Sequence, residues 1–321
     1  MGMRFKALSI SFNGEMISSI GMDDKMVSIQ VQSVLYHNEL DALYSTAESL
    51  CNAVAVAGRR GVRCSCKLCY GDASSSPLLD TLLVEDLRGR CGELADIDYT
   101  FFNENTGTAK GHNILAENVD ADYLLVMNPD VILSPSFLVN MLKPMKLSDV
   151  GIVEARQTPI EHPKDYSVDT GDTPWASTAA ALIRSDVFRT VGGFDEDTFF
   201  MYCDDVDFSW RVRLSGKRVI YQPSAPVFHA KRLSIEGGWQ STSAERYYSA
   251  EAALLLAYKW SNQPLVEKLL ELFDNGDENQ IKAAEEFRRR CAQGKLPDRL
   301  DEDRKIGCFI NGNYAKHRYA L

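Results

Sequence analysis

The sequence lacks any apolar run long enough to cross a bilayer, and its basic residues are outnumbered by acidic ones. Its 321 residues carry 35 Lys and Arg against 45 Asp and Glu, a formal net charge of −10. Such a charge opposes binding along a phosphate backbone, so nucleic acid is not an expected partner. The N-terminal residues MGMRFKALSISFNGE lack the apolar core and cleavage site of a secretory signal. We therefore expect a cytoplasmic protein.

Cysteine is present, with eight residues, yet its spacing does not indicate a metal site. Cys64, Cys66 and Cys69 lie close together, but a zinc site needs a fourth ligand at a compatible spacing, and none is nearby. Alternation along a buried strand explains Cys64 and Cys66 more simply, because thiols pack as small hydrophobes. Disulfides are not expected in a reducing compartment.

Predicted strands alternate with predicted helices along the chain, which predicts an α/β protein with a mostly parallel sheet. Predicted strands cover 27–36, 62–70, 98–103, 123–127, 150–155 and 218–229. Predicted helices cover 40–59, 78–87, 108–119 and 204–215, with a further one after Pro135. Residues 178–194 are interpreted as small residues, a short helix and a glycine turn, with no strand.

The character of the chain changes near residue 238. From Ser243 onward the sequence is strongly helical, with predicted helices over 243–260, 264–273 and 279–293. We therefore expect three parts. They are an N-terminal extension over 1–26, an α/β domain over 27–238, and a C-terminal helical region and tail over 239–321.

Carboxylates are predicted near the carboxyl ends of two strands, where parallel sheets bind ligands. Asp72 follows one strand, and Asp130 follows the apolar strand YLLVM in the triplet Asn128-Pro129-Asp130. Carboxylate oxygens suit Mg²⁺ or Mn²⁺, which share their coordination shell with phosphates. A plain turn explains the same triplet about equally well, because Asn, Pro and Asp all favour turns.

A histidine ends the last predicted strand of the α/β domain. A lone histidine in this position, such as His229, is more often structural than a ligand. Here Lys231, Arg232 and a Gly-Gly pair follow it, and a basic loop of this kind suits closure over a diphosphate. Asp130 and His229 would then be two ligands of a phosphate-bound metal.

Residues 199–211, FFMYCDDVDFSWR, place three aspartates inside an aromatic frame. Carboxylates in the first turn of a helix complement its dipole, and Asp207 and Arg211 have the spacing of an ion pair. We interpret Asp207 as structural. The apolar residues of the same helix are predicted to form one core-facing side: Val206, Trp210 and Leu214.

The adjacent pair Asp204 and Asp205 is not explained by helix capping alone. An apolar pocket raises the proton affinity of a carboxylate, which suits a general base. A second feature is NTGTAKGHN, residues 105–113, where Gly107 and Gly111 flank a helix start. This is either a glycine-rich helix entry or a place where the backbone approaches a diphosphate.

In their order along the chain, these motifs resemble the family 2 glycosyltransferases, inverting enzymes with the GT-A fold. The likeness is to rhamnosyltransferase-like and galactofuranosyltransferase-like bacterial members and runs from about residue 27 to 234. GDAS at 71–74 is similar to the family's DNxS, NTGTAKGHN to NxGxaxGxN, and NPD to DXD. Residues 192–229 match the longest signature nearly throughout, which is the most specific part of the resemblance.

The resemblance implies roles for the candidate residues. Asp205 would be the catalytic base, and Asp204 would position the acceptor or tune the base. Asp130 and His229 would hold Mn²⁺ or Mg²⁺ against the donor diphosphate. Asp72 would contact the nucleobase or ribose. The remaining expected donor-binding residues are Tyr36, Asn38, Asn105, Gly107, Lys110, Asn113, Asn128, Lys231 and Arg232, and the expected acceptor-binding residues are Trp175 and Tyr202.

The sequence departs from the family pattern at three places. Asp204 replaces a glutamate, Thr178 replaces a glycine, and the first strand ends in Ser-Val-Leu-Tyr where Thr-Tyr-Asn is usual. Tyr36 and Asn38 are taken as equivalents of that last motif.

The expected function is inverting transfer of a sugar from dTDP-rhamnose or a UDP-hexose. The acceptor would be a hydroxyl of a glycan or lipid-linked glycan in surface polysaccharide synthesis. One alternative is a catalytically inactive GT-A protein that binds a nucleotide sugar or glycan. A nucleotidyltransferase is disfavoured, because no basic glycine-rich loop follows the first strand. The C-terminal helices have three candidate roles: covering the acceptor side, forming a homo-oligomer, or contacting the inner face of a membrane peripherally.

Overall fold

The computed structural model describes residues 26–162, 164–229, 241–310 and 314–316, and these form one eight-stranded sheet with helices around it. The strands are β1 (Val27–Leu35), β2 (Cys64–Asp72), β3 (Asp96–Phe101), β4 (Tyr123–Met127), β5 (Val131–Leu133), β6 (Val150–Thr158), β7 (Ala180–Arg184) and β8 (Arg218–His229). The helices are α1 (Leu40–Arg59), α2 (Thr81–Arg90), α3 (Gly107–Ala116), α4 (Phe137–Met141), α5 (Ser185–Thr190), α6 (Asp204–Leu214), α7 (Ser243–Lys259), α8 (Gln263–Asp274) and α9 (Glu278–Ala292).

The strand order is β3-β2-β1-β4-β7-β6-β8-β5. The first four strands run parallel, β7 enters antiparallel between β4 and β6, and β8 is parallel to β6. The short β5 closes the edge antiparallel to β8. The predicted α/β class with a mostly parallel sheet is confirmed.

Two strands were not predicted, and each has a physical reason. β7 lies inside the sheet with all but its last residue buried, so AALIR shows no polar alternation and alanine contributes little strand propensity. Residues 178–194 therefore contain a strand before the predicted short helix. β5 has only three residues and directly follows the Asn128-Pro129-Asp130 turn, so its sequence signal is too short to read.

Helix α6 bears out most of its predicted pattern. Val206 and Trp210 are buried, and the Asp207 carboxylate pairs with the Arg211 guanidinium at 2.8 Å. The prediction was wrong for Leu214, which is 49% exposed. Leu214 is the last residue of α6, where the chain turns away toward Gly216 and β8.

The sheet brings distant segments of the chain to one edge. β1 and β2 pair in register up to Leu35 and Asp72, so their carboxyl ends lie side by side. β5 and β8 pair so that Val131 stands opposite His229, which places the end of β8 beside the turn after β4. Residues 127 to 131 and His229 therefore meet although they are about a hundred positions apart.

The C-terminal helices share an apolar cluster with the sheet domain instead of standing apart from it. The cluster joins side chains of α7, α8 and α9 to residues that precede or belong to α6, including Trp175, Phe199 and Trp210. Among the described residues no helix is both long and apolar enough to span a membrane. The expected extension over 1–26 (apart from Met26) and the expected boundary near 238 fall outside the described residues.

Candidate active site

A cavity of about 630 Å³ lies where the ends of β4, β6 and β8 face the start of α6. Seven of the residues predicted for catalysis, metal binding and substrate binding line this one cavity: Asn128, Asp130, Trp175, Tyr202, Asp204, Asp205 and His229. A larger depression of about 880 Å³ lies elsewhere, near the amino ends of β1 and β4, and contains none of the predicted residues. The chemistry of the side chains, and not the size of the cavity, therefore marks the candidate site.

The first group in the cavity is Asn128, Asp130 and His229. The His229 Nε2 atom lies 3.5 Å from a carboxylate oxygen of Asp130 and 3.1 Å from the Asn128 amide nitrogen. On its other side the His229 Nδ1 atom lies 3.1 Å from Oε1 of Gln157, so Nδ1 donates and Nε2 keeps its lone pair. Gln157 on β6 therefore orients the imidazole toward Asp130.

This group fits a hard divalent cation that is completed by a substrate. Among the residues that the structure describes, no cluster of three or more His, Cys, Asp and Glu forms a metal cage. Asp130 and His229 would supply one oxygen and one nitrogen ligand. Mg²⁺ and Mn²⁺ sites of this kind use few protein ligands and take the others from phosphate oxygens and water.

The second group is the pair Asp204 and Asp205 at the start of α6. Two consecutive residues before them, Tyr202 and Cys203, have left-handed backbone angles, φ +67° and +56°. Non-glycine residues in this conformation are sparsely populated and concentrate at functional sites. The turn they make brings both aspartates onto the wall of the cavity.

The two carboxylates have different surroundings. Asp204 is buried and accepts a hydrogen bond from the Thr108 hydroxyl at 2.9 Å, and burial raises its pKa to about 6. For Asp205, burial and the neighbouring Asp204 charge raise the pKa to about 7, while Lys164 and the backbone N–H groups of Val206 and Thr178 act in the opposite direction. A carboxylate with this pKa is able to accept a proton near neutral pH.

The motif NTGTAKGHN contacts the aspartate pair from the opposite side. Gly107 has φ +65°, and an added Cβ would lie 2.2 Å from the Phe200 carbonyl oxygen. Thr108 donates its backbone N–H to that same carbonyl at 3.0 Å and its hydroxyl to Asp204. Only glycine fits at 107, and the observed contact there is the FFMY segment.

Three other residues of that motif make contacts within the protein. Asn105 accepts a hydrogen bond from the Gly107 N–H, and Lys110 forms an exposed ion pair with Glu104 at 2.7 Å. Asn113 bonds both the N–H and the carbonyl of Phe194. None of the three lines the candidate cavity.

Asp72 is held by hydrogen bonds within the protein. It is fully buried, and its oxygens accept bonds from the N–H groups of Ser74 and Leu78 and from the Tyr99 hydroxyl, at 2.9, 2.8 and 2.5 Å. It does not line the cavity. Direct contact with a nucleobase would require this network to open, so Asp72 more simply shapes the loop that follows β2.

The predicted residues at the end of β1 lie outside the cavity as well. Tyr36 is 54% exposed, and its backbone N–H donates to the Asn38 side chain at 2.8 Å. Binding of the donor by the exposed Tyr36 ring remains a prediction. Lys231 and Arg232 lie outside the described residues.

The sequence did not indicate several residues that lie on the cavity or beside it. Lys164, behind the cavity wall, is buried, pairs with Glu154 at 2.5 Å and stands 3.7 Å from the ring centre of Trp175, which lines the cavity. Glu154 also accepts a bond from the Ser177 N–H at 3.0 Å. Glu154 lies on β6 and Lys164 in the loop after it, and the sequence gives no sign that the two charges are buried together. Gln157, Thr108 and Tyr314 were missed because only tertiary packing brings them near the aspartates.

Comparison with known proteins agrees with the fold. No protein-family model matches the chain. The rhamnosyltransferase WbbL of Escherichia coli K12 is 27% identical over 47% of this chain and 68% of its own length. The N-acetylglucosaminyl-diphospho-decaprenol L-rhamnosyltransferase of Mycobacterium tuberculosis is 46% identical, but the match spans only 19% of each chain.

Solved structures share the architecture at low sequence identity. GalNAc-T7 with UDP, GalNAc and Mn²⁺ superposes with a TM-score of 0.57 and 12% identity, covering 83% of this chain and 55% of that one. The mannosyltransferase PcManGT of Pyrobaculum calidifontis with GDP-Man and Mn²⁺ gives 0.54 and 15%, covering 83% and 80%. At these identities the likeness establishes the fold.

The fold is therefore the GT-A architecture of these neighbours. The resemblance of the motifs to family 2-like GT-A glycosyltransferases is confirmed, and rhamnosyltransferases are among the proteins to which the chain is similar.

Proposed function

We propose that the protein is an inverting, metal-dependent hexosyltransferase of glycan synthesis, with dTDP-rhamnose or a UDP-hexose as donor. The observation that carries this proposal is the meeting, in one cavity, of Asp205 with Asp130 and His229. A protein that only binds a nucleotide sugar needs Asp130 and His229 but not a carboxylate of raised pKa. The rhamnosyltransferase relatives support this choice of donor and a glycan or lipid-linked glycan as acceptor.

The proposed reaction is a single displacement. A hydroxyl oxygen of the acceptor attacks the anomeric carbon of the donor, and the bond from that carbon to the diphosphate oxygen breaks. Asp205 takes the hydroxyl proton, and the electron pair of the broken bond leaves with the nucleoside diphosphate. Attack from the face opposite the leaving group inverts the anomeric configuration. Asp204, held by Thr108, keeps its charge beside Asp205 and so raises the proton affinity of the base.

Asp130 and His229 would hold Mn²⁺ or Mg²⁺, and this cation would neutralise charge on the diphosphate. Gln157 keeps the His229 imidazole in the tautomer whose Nε2 faces Asp130. Because Asp130 follows β4 and His229 ends β8, the pairing of β5 with β8 sets the separation of the two ligands.

The first test is the thermal stability of the purified protein with UDP, dTDP, GDP and CMP, each with and without Mn²⁺. A ligand at about a hundred times its Kd stabilises the native state by about 2.7 kcal/mol. We expect stabilisation by UDP or dTDP that requires Mn²⁺. Transfer is then assayed with dTDP-rhamnose and UDP-hexoses.

The opposite result is equally clear. Absence of any nucleotide response in a folded protein with Mn²⁺ present would contradict the transferase proposal and return Asn128-Pro129-Asp130 to a turn. Nucleotide binding without transfer or donor hydrolysis would favour the inactive binding protein.

A further inference from the structure

The cavity has a wall that the family motifs do not include. Tyr314, far beyond the last matched residue, lines it together with Trp175 and Asp205. The Cys203 thiol donates to the Tyr314 hydroxyl at 3.1 Å, and Cys203 is two positions before Asp205. The Tyr314 ring stands edge-on to Trp175, with centres 6.3 Å apart and planes at 75°. Tyr314 thus contacts both Cys203, close to the proposed base in the chain, and the Trp175 ring.

The segment around Tyr314 is held in place by its neighbours. Ala315 is 4% exposed and belongs to the apolar cluster of the C-terminal helices. The Lys316 carbonyl accepts a hydrogen bond from the Asp165 N–H at 2.8 Å, next to the buried Lys164. The segment 314–316 is therefore attached both to the helical region and to the loop that carries Lys164.

The chemistry of this wall suits a sugar. Trp175 is 5% exposed, and its indole Nε1, which lies in the buried part of the ring, meets no acceptor among the described residues. Burial raises the pKa of Tyr314 well above its usual range, so its hydroxyl stays protonated and is able to donate as well as accept. Aromatic rings pack against the apolar face of a sugar, and the phenol O–H group of Tyr314 can hydrogen-bond to its hydroxyls.

We propose that Tyr314 is an acceptor-binding residue, and that segment 314–316 with Trp175 forms the surface that presents an acceptor sugar hydroxyl to Asp205. The inference rests on the proposed function, because it takes Asp205 as the base. It adds a residue from outside the motif-bearing domain to the site. It also gives the C-terminal region a direct part in acceptor selection.

The experiment compares full-length wild type with Tyr314→Phe and Tyr314→Ala. Tyr247→Phe is the matched control, because its hydroxyl also makes a hydrogen bond, to Glu251 at 3.2 Å, outside the cavity. The acceptor probes are octyl glycosides of glucose, galactose, mannose and N-acetylglucosamine. Transfer from dTDP-rhamnose and UDP-hexoses is measured beside donor hydrolysis without acceptor, and probe binding is measured by calorimetry with UDP and Mn²⁺.

We expect Tyr314→Phe to weaken binding of the preferred octyl glycoside, and its kcat/KM, by about three- to tenfold, the worth of one hydrogen bond. Tyr314→Ala should lose more, and donor hydrolysis and the Kd for UDP should stay at the wild-type value. Tyr247→Phe should match wild type in every measurement. Thermal melts of each variant check that the fold is kept.

Three results would overturn the inference. The first is an equal loss of hydrolysis and transfer in Tyr314→Phe, and the second is no change in either Tyr314 variant. The third is faster transfer in Tyr314→Ala, which would mean that the segment blocks the acceptor site. Failure of the proposed function looks different: wild type would neither transfer nor hydrolyse. In that case calorimetry would still test the inference, because it measures binding of the octyl glycosides directly. If the wild-type protein bound none of them, the inference would be overturned.

Discussion

Two aspartates in the first turn of α6, Asp205 and Asp207, have opposite environments. Asp205 faces the cavity, where burial and Asp204 raise its pKa to about 7. Asp207, two residues later, is fully buried and pairs with Arg211 at 2.8 Å and Lys259 at 2.7 Å. It also accepts the Trp260 indole N–H at 3.0 Å. Asp205 therefore has a pKa near neutral pH, whereas the charge of Asp207 is paired with Arg211 and Lys259.

The difference shows how the helix serves both site and scaffold. Lys259 and Trp260 come from the end of α7, and Lys259 also reaches Asp195 at 2.6 Å. The C-terminal helices are therefore joined to α6 by charge as well as by apolar packing. A buried ion pair adds little net stability but is costly to break, because the remaining charge loses its partner. We infer that this junction fixes the position from which Asp204 and Asp205 face the cavity.

The largest expected effect tests the cavity side. Asp205→Asn should lower transfer by about 100- to 10,000-fold, the usual contribution of a general base. The free energy of unfolding at pH 8 should stay equal or rise, because the amide removes a carboxylate that burial and Asp204 disfavour. Steady-state kinetics and urea unfolding measure the two. Retained turnover with an intact fold would remove Asp205 from the role of base.

The second effect tests the core side. Asp207→Asn should lower the free energy of unfolding by roughly 3 kcal/mol, because Arg211 and Lys259 lose their shared partner. Urea unfolding measures this, with Asp169→Asn, an exposed carboxylate, as the control that should match wild type. An unchanged stability would mean that Asp195 alone compensates Lys259.

The third effect concerns the histidine of the cavity. Gln157→Leu should weaken Mn²⁺ binding about 10- to 100-fold, because the Nδ1 partner that sets the His229 tautomer is lost. Titration of Mn²⁺ in the presence of UDP, followed by electron paramagnetic resonance, measures the affinity. Arg156→Leu, on the exposed side of the same strand, is the control. Equal affinities in both variants would exclude His229 as a ligand oriented by Gln157.

The smallest effect is a shift of a pH profile. The proposed base must be a carboxylate to accept a proton, so kcat/KM should fall as the pH drops through about 7, the pKa of Asp205. Lys164 lowers the pKa of Asp205, so Lys164→Met should move this midpoint to higher pH, with less than about tenfold loss at pH 8.5. Lys164→Arg keeps the charge and should keep the midpoint. A profile that moves equally in both variants would indicate lost packing and not lost charge.

Some elements of the fold can be predicted from the sequence, and others cannot. The bounds of α1 and β4 and the three C-terminal helices follow from periodicity, because each buries one continuous face or run. The strand β7 was missed because burial on both faces erases alternation. Leu214 was wrongly predicted to be buried, because helical periodicity does not show where a helix ends its contact with the core.

The sequence by itself indicated the α/β fold, the resemblance to glycosyltransferases and the candidate carboxylates, because motif order and the residues at strand ends are local properties of the chain. Tertiary structure alone decided which of them share a cavity. Asp130 and His229 lie beside Asp205, whereas Asp72 and Asn113 are held in bonds elsewhere. It also placed Gln157 and Tyr314 on the wall of that cavity and Lys164 against Trp175 behind it. Their roles depend on contacts between residues tens to more than a hundred positions apart, and the free energy of such contacts exists only once the sheet and helices have packed.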